Sequence, residues 1–170
     1  MELAPCDRCV EYYGWTTRVY THITTRILDS QALLINPFGL RYDEFTASYL
    51  VTIDVDGNKL DNSPYPINKT RYVFHSTIHS ARHDMQCTLH THSECAEAVS
   101  CMAQGLIPMT QTGAMFHERL GYHDYEGIAL DEKEQASLVD DLGTRNHGVL
   151  ICDETIPWVF VRLYAFENAC

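Results

Sequence analysis

Apolar and polar positions fall into short blocks along this chain, and most blocks predict one element. Residues 5–13 read as a helix, with Pro5 suited to its first turn and Gly14 to its stop. The run TTRVYTHITTRIL (16–28) is rich in β-branched and aromatic side chains and predicts a strand. ALLINP (32–37) and SYLVTIDVDGNKL (48–60) predict two more, the second running into the hairpin signal Asp56-Gly57. Proline and asparagine punctuate NSPYPINKT (62–70), which reads as a loop. VFHSTIHSARHD (73–84) fits a helix or a strand by pattern, and the strand signal next along the chain favours the helix. MQCTLHTH (85–92) is that strand, leading into SECAEAVSCMAQG (93–105), a helix that Ser93 can cap. LIPMT (106–110) predicts a short strand and DEKEQASLVDDLG (131–143) a helix, with acids at its start and Gly143 at its end. GVLICDE (148–154) is a strand, and IPWVFVRLYAFENAC (156–170) a helix with Pro157 near its start. Strands dominate the first third and mix with helices afterwards. The expected fold is an α/β three-layer sandwich, with a central, mostly antiparallel β-sheet flanked by helices.

Composition narrows the function classes. A chain of 170 residues supports one well-formed core, so residues 1–170 are expected to form a single domain. The formal net charge of -11 opposes binding to the phosphate backbone of nucleic acid. No run is long enough to span a membrane and the N-terminus has no secretory pattern, so a cytoplasmic location is expected, with no nucleic-acid or membrane partner. Of seven cysteines, Cys87, Cys95, Cys101, Cys152 and Cys170 lie in apolar surroundings and read as reduced core residues. Cys6 and Cys9 form a C-x-x-C that reads either as a redox or zinc motif or as one turn of a helix.

CTLHTHS (87–93) carries the candidate chemistry. His90 and His92 occupy alternate strand positions and emerge on one face, where two imidazoles can bind one metal ion at about 2.0–2.1 Å. His147 lies just before the strand at 148–154, and Gly148 permits close backbone approach, so that strand can bring a third imidazole to the same end of the sheet. Imidazoles suit Zn2+ or another borderline divalent metal ion. The chain has nine histidines, so the competing reading is three unrelated rings satisfied by packing and hydrogen bonds.

The blocks LLINPFGLRYDEFTASYLVTIDVDGN, HSTIHSAR, CTLHTHSECAEAVSC, GLIPMTQ, YHDYEGIA and RNHGVLI occur in an order that resembles the class II aldolase/adducin N-terminal domain family, adducin-like branch. The resemblance covers nearly the whole chain, and H-x-H with N-H-G is its specific part. It implies a central antiparallel sheet with flanking helices, and zinc held by His90, His92 and His147. It further implies a homo-oligomer, a tetramer in the family, for which the apolar helix PWVFVRLYAF adds weak support. The activity implied is that of an aldolase-type lyase, aldolase or decarboxylase, acting through a metal-stabilised enediolate. Its substrate would be a small hydroxyketone or keto-acid, phosphorylated or not. The alternative is a non-catalytic protein-interaction module like the adducin head. A cupin fits poorly, because Glu94 follows His92 by only two residues and the mixed pattern is wrong for a jelly roll.

The sequence departs from the family where the aldolases carry their acid/base residue, nineteen positions before the first metal histidine. Arg71 stands there, and a guanidinium can neither accept a proton nor ligate a cation. Replacement proton-transfer residues are sought among His75, His79 and Glu94, with His117, His123 and Glu126 weaker; His79 and Glu94 are the leading pair. For each, a solvated or hydrogen-bonded side chain is the competing reading. The family's phosphate cradle corresponds to His22, Phe38-Gly39 and Lys69-Thr70, of which Gly39 and the Thr70 hydroxyl keep the old chemistry. Lys69 and Arg71 form a compact cationic pair for a carboxylate or phosphate, or are two solvated loop charges. The family's C-terminal tail is expected to be absent, the chain ending at Cys170 either as a short member or as a truncated one.

Overall fold

The computed structural model describes residues 2–17, 20–44, 46–122 and 149–170, with residues 69–71 described as backbone. Helix α1 (Leu3–Tyr12) precedes strands β1 (His22–Arg26), β2 (Leu33–Ile35) and β3 (Val51–Ile53). Helix α2 (Lys69–Ala81), strand β4 (Cys87–Thr91), helix α3 (Glu94–Ser100) and a short helix α4 (Gln111–Ala114) come next, then β5 (Val149–Asp153) and α5 (Ile156–Ala169). The five strands lie in the order β3-β2-β1-β4-β5, and every neighbouring pair is antiparallel.

Strand alternation sends side chains to two different layers. Ile23, Cys87, Leu89, Val149 and Ile151 point to one face and join Leu3 and Val10 of α1, Ala96 and Val99 of α3, and Val159, Leu163 and Phe166 of α5. Each large aliphatic or aromatic side chain buried there stabilises the fold by about 1.5–3 kcal/mol. The other face lies under α2 and is divided. Its β2–β3 half is apolar, with Leu33, Ile35, Val51 and Ile53 packed on Tyr72. Its β1–β4 half is polar, with His22, Thr24, Thr88 and His90 buried beneath His75 and His79. The α/β sandwich with a central antiparallel sheet is therefore the fold observed.

Several local expectations need correction. The strand expected over 16–28 is confined to His22–Arg26. Before it, Thr17 donates its hydroxyl to the His92 carbonyl at 2.8 Å, and Thr91 donates to the Trp15 carbonyl, so this stretch follows β4 through side-chain bonds. LIPMT forms no strand. Pro108 lacks a donor for a ladder, and Thr110 instead caps α4, accepting from the Gly113 N–H at 2.9 Å. Helix α2 begins at Lys69, which puts residues 69–71 in its first turn and not in the preceding loop. The helix expected over 131–143 lies outside the described residues. Of the five cysteines read as core, Cys87 is buried and Cys152 half-buried, but Cys95, Cys101 and Cys170 are exposed. Helix α3 turns Ala96 and Val99 inward and leaves Cys95 outside. All seven cysteines are free thiols; Cys6 is buried and Cys9 exposed on one turn of α1. Helix α5 buries Val159, Leu163 and Phe166 and exposes Trp158, Val161 and Tyr164. Among the described residues no helix is long and apolar enough to cross a membrane.

Candidate metal centre

His90 and His92 converge as their spacing requires. Their Nε2 atoms stand 2.9 Å apart, with the rings edge to face at 4.5 Å between centroids. The opposite nitrogens decide which tautomer each ring adopts. Nδ1 of His90 lies 3.1 Å from the Val149 carbonyl oxygen, which can only accept, so Nδ1 carries the proton and donates it. Nδ1 of His92 lies 3.3 Å from the Glu97 carboxylate and donates to it in the same way. With both rings neutral, the two Nε2 atoms present lone pairs to one another. Two lone pairs at this distance repel unless a proton or a cation lies between them. In a tetrahedral zinc site, with bonds of about 2.0–2.1 Å, two ligand nitrogens are about 3.3 Å apart, so a small outward shift would seat an ion. A carbonyl and a carboxylate behind the two rings are the usual partners of metal-bound imidazoles, fixing the ring and raising its basicity. The donor chemistry of this pair thus fits a divalent cation such as zinc. Among the described residues no third His, Cys, Asp or Glu joins them in a metal-holding group. His147 lies outside the described residues, as do His123 and Glu126.

Behind the pair, more imidazoles fill the polar half of the sheet face. His22 is the cross-strand partner of His90, their ring centroids 5.2 Å apart. His22 Nδ1 donates to the Tyr20 carbonyl at 3.1 Å, and its ring lies 4.3 Å from that of His75. Thr24, two residues along the same face, holds His75 Nδ1 at 2.6 Å and His79 Nε2 at 2.8 Å on one hydroxyl. Burial pushes the His75 pKa well below the usual 6.5, with neighbouring His22, His79 and His90 adding to the effect. Burial and then the Arg26 guanidinium lower His79 to about 4. Both rings are neutral at pH 7.

The remaining candidates are dispersed. His79 is fully enclosed between α2 and the sheet, whereas Glu94 is exposed in the first turn of α3. It is Glu97, overlooked in the sequence, that reaches His92. The signal for it was present: a carboxylate one turn beyond the Ser93 cap can fold back toward the residue before that cap. His117 is exposed beside Glu118 at 3.9 Å. Gly39 takes φ +92, a conformation that favours glycine, in a turn whose Phe38 N–H donates to the Pro66 carbonyl at 2.9 Å. That bond ties the Gly39 turn to the chain entering α2, whose first turn holds Lys69, Thr70 and Arg71.

The chain belongs to the class II aldolase and adducin N-terminal domain family, which matches residues 1–170. An aldolase II superfamily protein from Pseudomonas syringae superposes with a TM-score of 0.96 at 44% identity, covering 99% of this chain and 70% of that one. The L-fuculose 1-phosphate aldolase of Glaciozyma antarctica shares the fold at a TM-score of 0.87 and 24% identity, over 99% of this chain and 69% of that one. Alpha-adducin of Rattus norvegicus is 36% identical over 99% of this chain, which spans 24% of adducin's length.

Proposed function

We propose that the protein is a divalent-metal-dependent lyase of the aldolase type, in which His90, His92 and His147 hold zinc or a similar ion. The convergence of the His90 and His92 Nε2 atoms at 2.9 Å, with an acceptor behind each ring, is the observation that carries this reading. Position 147 precedes Val149 by two residues, and two residues of chain span at most about 7 Å. Val149 itself is paired with Thr91 and orients His90, so the third imidazole is proposed to come from the chain end nearest the pair. When bound, the cation would supply Lewis-acid polarisation of a substrate carbonyl oxygen.

The protein's own residues would do the rest. The Val149 carbonyl and the Glu97 carboxylate hold the protons on the two Nδ1 atoms, so that each neutral ring offers its Nε2 lone pair. The first turn of α2, with Lys69, Thr70 and Arg71, and the Gly39 turn are proposed to receive a carboxylate or phosphate. The tie between Phe38 and Pro66 supports grouping them. Of the two proton-transfer candidates, His79 is enclosed and Glu94 open to solvent, so that role is assigned to Glu94. The substrate class proposed is a small hydroxyketone or keto-acid.

The kinship with adducin favours a second reading, a protein-interaction module without catalysis. Arg71, which cannot serve as a base, points the same way. Metal analysis of purified protein, with a screen of hydroxyketone and keto-acid phosphates, separates the two. The lyase reading expects about one divalent ion per chain and turnover of a member of the set. It also expects His92→Ala to lose the metal while keeping a native far-UV spectrum. Equal metal content in wild type and variant would show that the site is misassigned.

A further inference from the structure

The half of the sheet face beneath β1 and β4 is built from groups that are costly to bury. On the β2–β3 half, α2 is seated by Leu33, Ile35, Val51 and Ile53 against Tyr72, and such apolar packing suffices to hold a helix on a sheet. On the other half, the same helix meets the sheet through His22, Thr24, His75 and His79, each at most 6% exposed. Among the described residues Nε2 of His75 has no hydrogen-bond partner, a polar cost that a layer serving packing alone would avoid. The polar half is also the half that carries His90.

The contacts form a continuous chain. The Thr24 hydroxyl can donate only one proton, so it donates to one imidazole and accepts from the other; of His75 Nδ1 and His79 Nε2, one carries a proton and the other is bare, which couples the tautomers of the two rings. The fixed ring of His75 packs at 4.3 Å against His22, whose Nδ1 is anchored on the Tyr20 carbonyl. His22 in turn lies edge to face against His90 at 5.2 Å. The Val149 carbonyl holds His90 at Nδ1, and the His22 ring packs edge to face against the same imidazole.

We propose that His22, Thr24, His75 and His79 are positioning residues for the metal centre, holding the His90 ring in the orientation that binds the ion. The inference rests on the metal reading above. It assigns to Thr24, which is not itself a ligand, control over the geometry of a site one strand away.

The test compares Thr24→Val, which keeps the shape and removes the hydroxyl, with Thr24→Ser, which keeps the hydroxyl. Zinc affinity is measured by chelator competition, and site geometry by the visible spectrum of the cobalt(II)-loaded protein. Thr24→Val is expected to bind zinc several-fold more weakly, less than the roughly tenfold lost with a group bonded directly to a metal ligand, and to show an altered cobalt spectrum. Thr24→Ser should restore both. Wild-type affinity and spectrum in a folded Thr24→Val protein would overturn the proposal. Should Thr24→Val fail to fold, imidazole 15N spectra of the wild type during zinc titration decide the matter. Shifts of the His75 and His79 signals at one equivalent support the coupling, and shifts confined to His90, His92 and His147 overturn it. A wild type that takes up no zinc removes the metal reading and this inference together, whereas normal uptake with an indifferent Thr24→Val removes the inference alone.

Discussion

Acidification should loosen this fold through the buried histidines, and the effect of one ring can be isolated. In the unfolded chain His79 titrates near the usual 6.5, whereas in the fold burial and Arg26 hold it at about 4. Between these values the unfolded state binds the extra proton, so stability rises with pH across that window and is complete above about 6.5. The full shift is worth about 3 kcal/mol, of which about 2 kcal/mol is lost between pH 7 and pH 5. His75, shifted in the same direction, adds to the loss. Asp7 acts oppositely. Burial raises its carboxyl well above the usual 3.8, so the fold holds a proton that the unfolded chain releases, and this residue favours the fold at low pH. The net slope of the wild type is therefore mixed, and the informative quantity is a difference between proteins. Urea unfolding of chelator-treated wild type and His79→Gln at pH 7, 6 and 5 provides it. The gap between wild type and variant should narrow on acidification, by about 2 kcal/mol at pH 5. Parallel stability curves would refute the argument, because they would show that His79 titrates alike in both states.

Three further outcomes are expected. Glu97→Gln should weaken zinc binding by about tenfold, the low end for such partners because the bond to His92 is 3.3 Å long and Glu97 is half exposed; an unchanged dissociation constant in chelator competition would remove Glu97 from the site. Arg71→Ala should weaken binding of phosphate- or carboxylate-bearing ligands about tenfold or more with metal content unchanged, as calorimetry can show; if affinity is indifferent to the change, Arg71 is a solvated charge. Asp7→Asn should raise the thermal midpoint at pH 7 and less so at pH 4, since both carboxylate oxygens are buried without partners among the described residues. A lower midpoint at pH 7 would mean that Asp7 serves the fold as a charge.

What could be read from the sequence was whatever depends on neighbours along the chain. Alternation over 85–92 placed His90 and His92 on one face, and Ser93 announced α3, its hydroxyl accepting from the Ala96 N–H. The start of α2 was missed because Asn68 makes no side-chain cap, so nothing local separates Lys69 from the loop before it. The threonines at 16–21 looked like a strand by propensity. Two of them, Thr17 and Thr21, direct their hydroxyls toward His92 and Thr91, a pairing made across more than sixty residues of sequence. The same distance hid the setting of the candidate metal site. That His22 would face His90 follows from the β1–β4 register, which the global fold sets. Thr24 reads as an ordinary strand residue until two imidazoles are found on its hydroxyl.

The Val149 carbonyl links the orientation of one ligand to the delivery of another. It is the acceptor that orients His90, and it belongs to the first residue of β5, the strand at the end of the described order. If His147 ligates as proposed, one short stretch of backbone both aims the first ligand and delivers the third. A one-residue slip of β5 along β4 would misdirect His90 and withdraw His147 in a single step. Assembly of the centre would then be all-or-none, and a bound ion would act as a clasp on β5. Hydrogen exchange at the β5 amides should slow when zinc is added, even though the ion touches none of them.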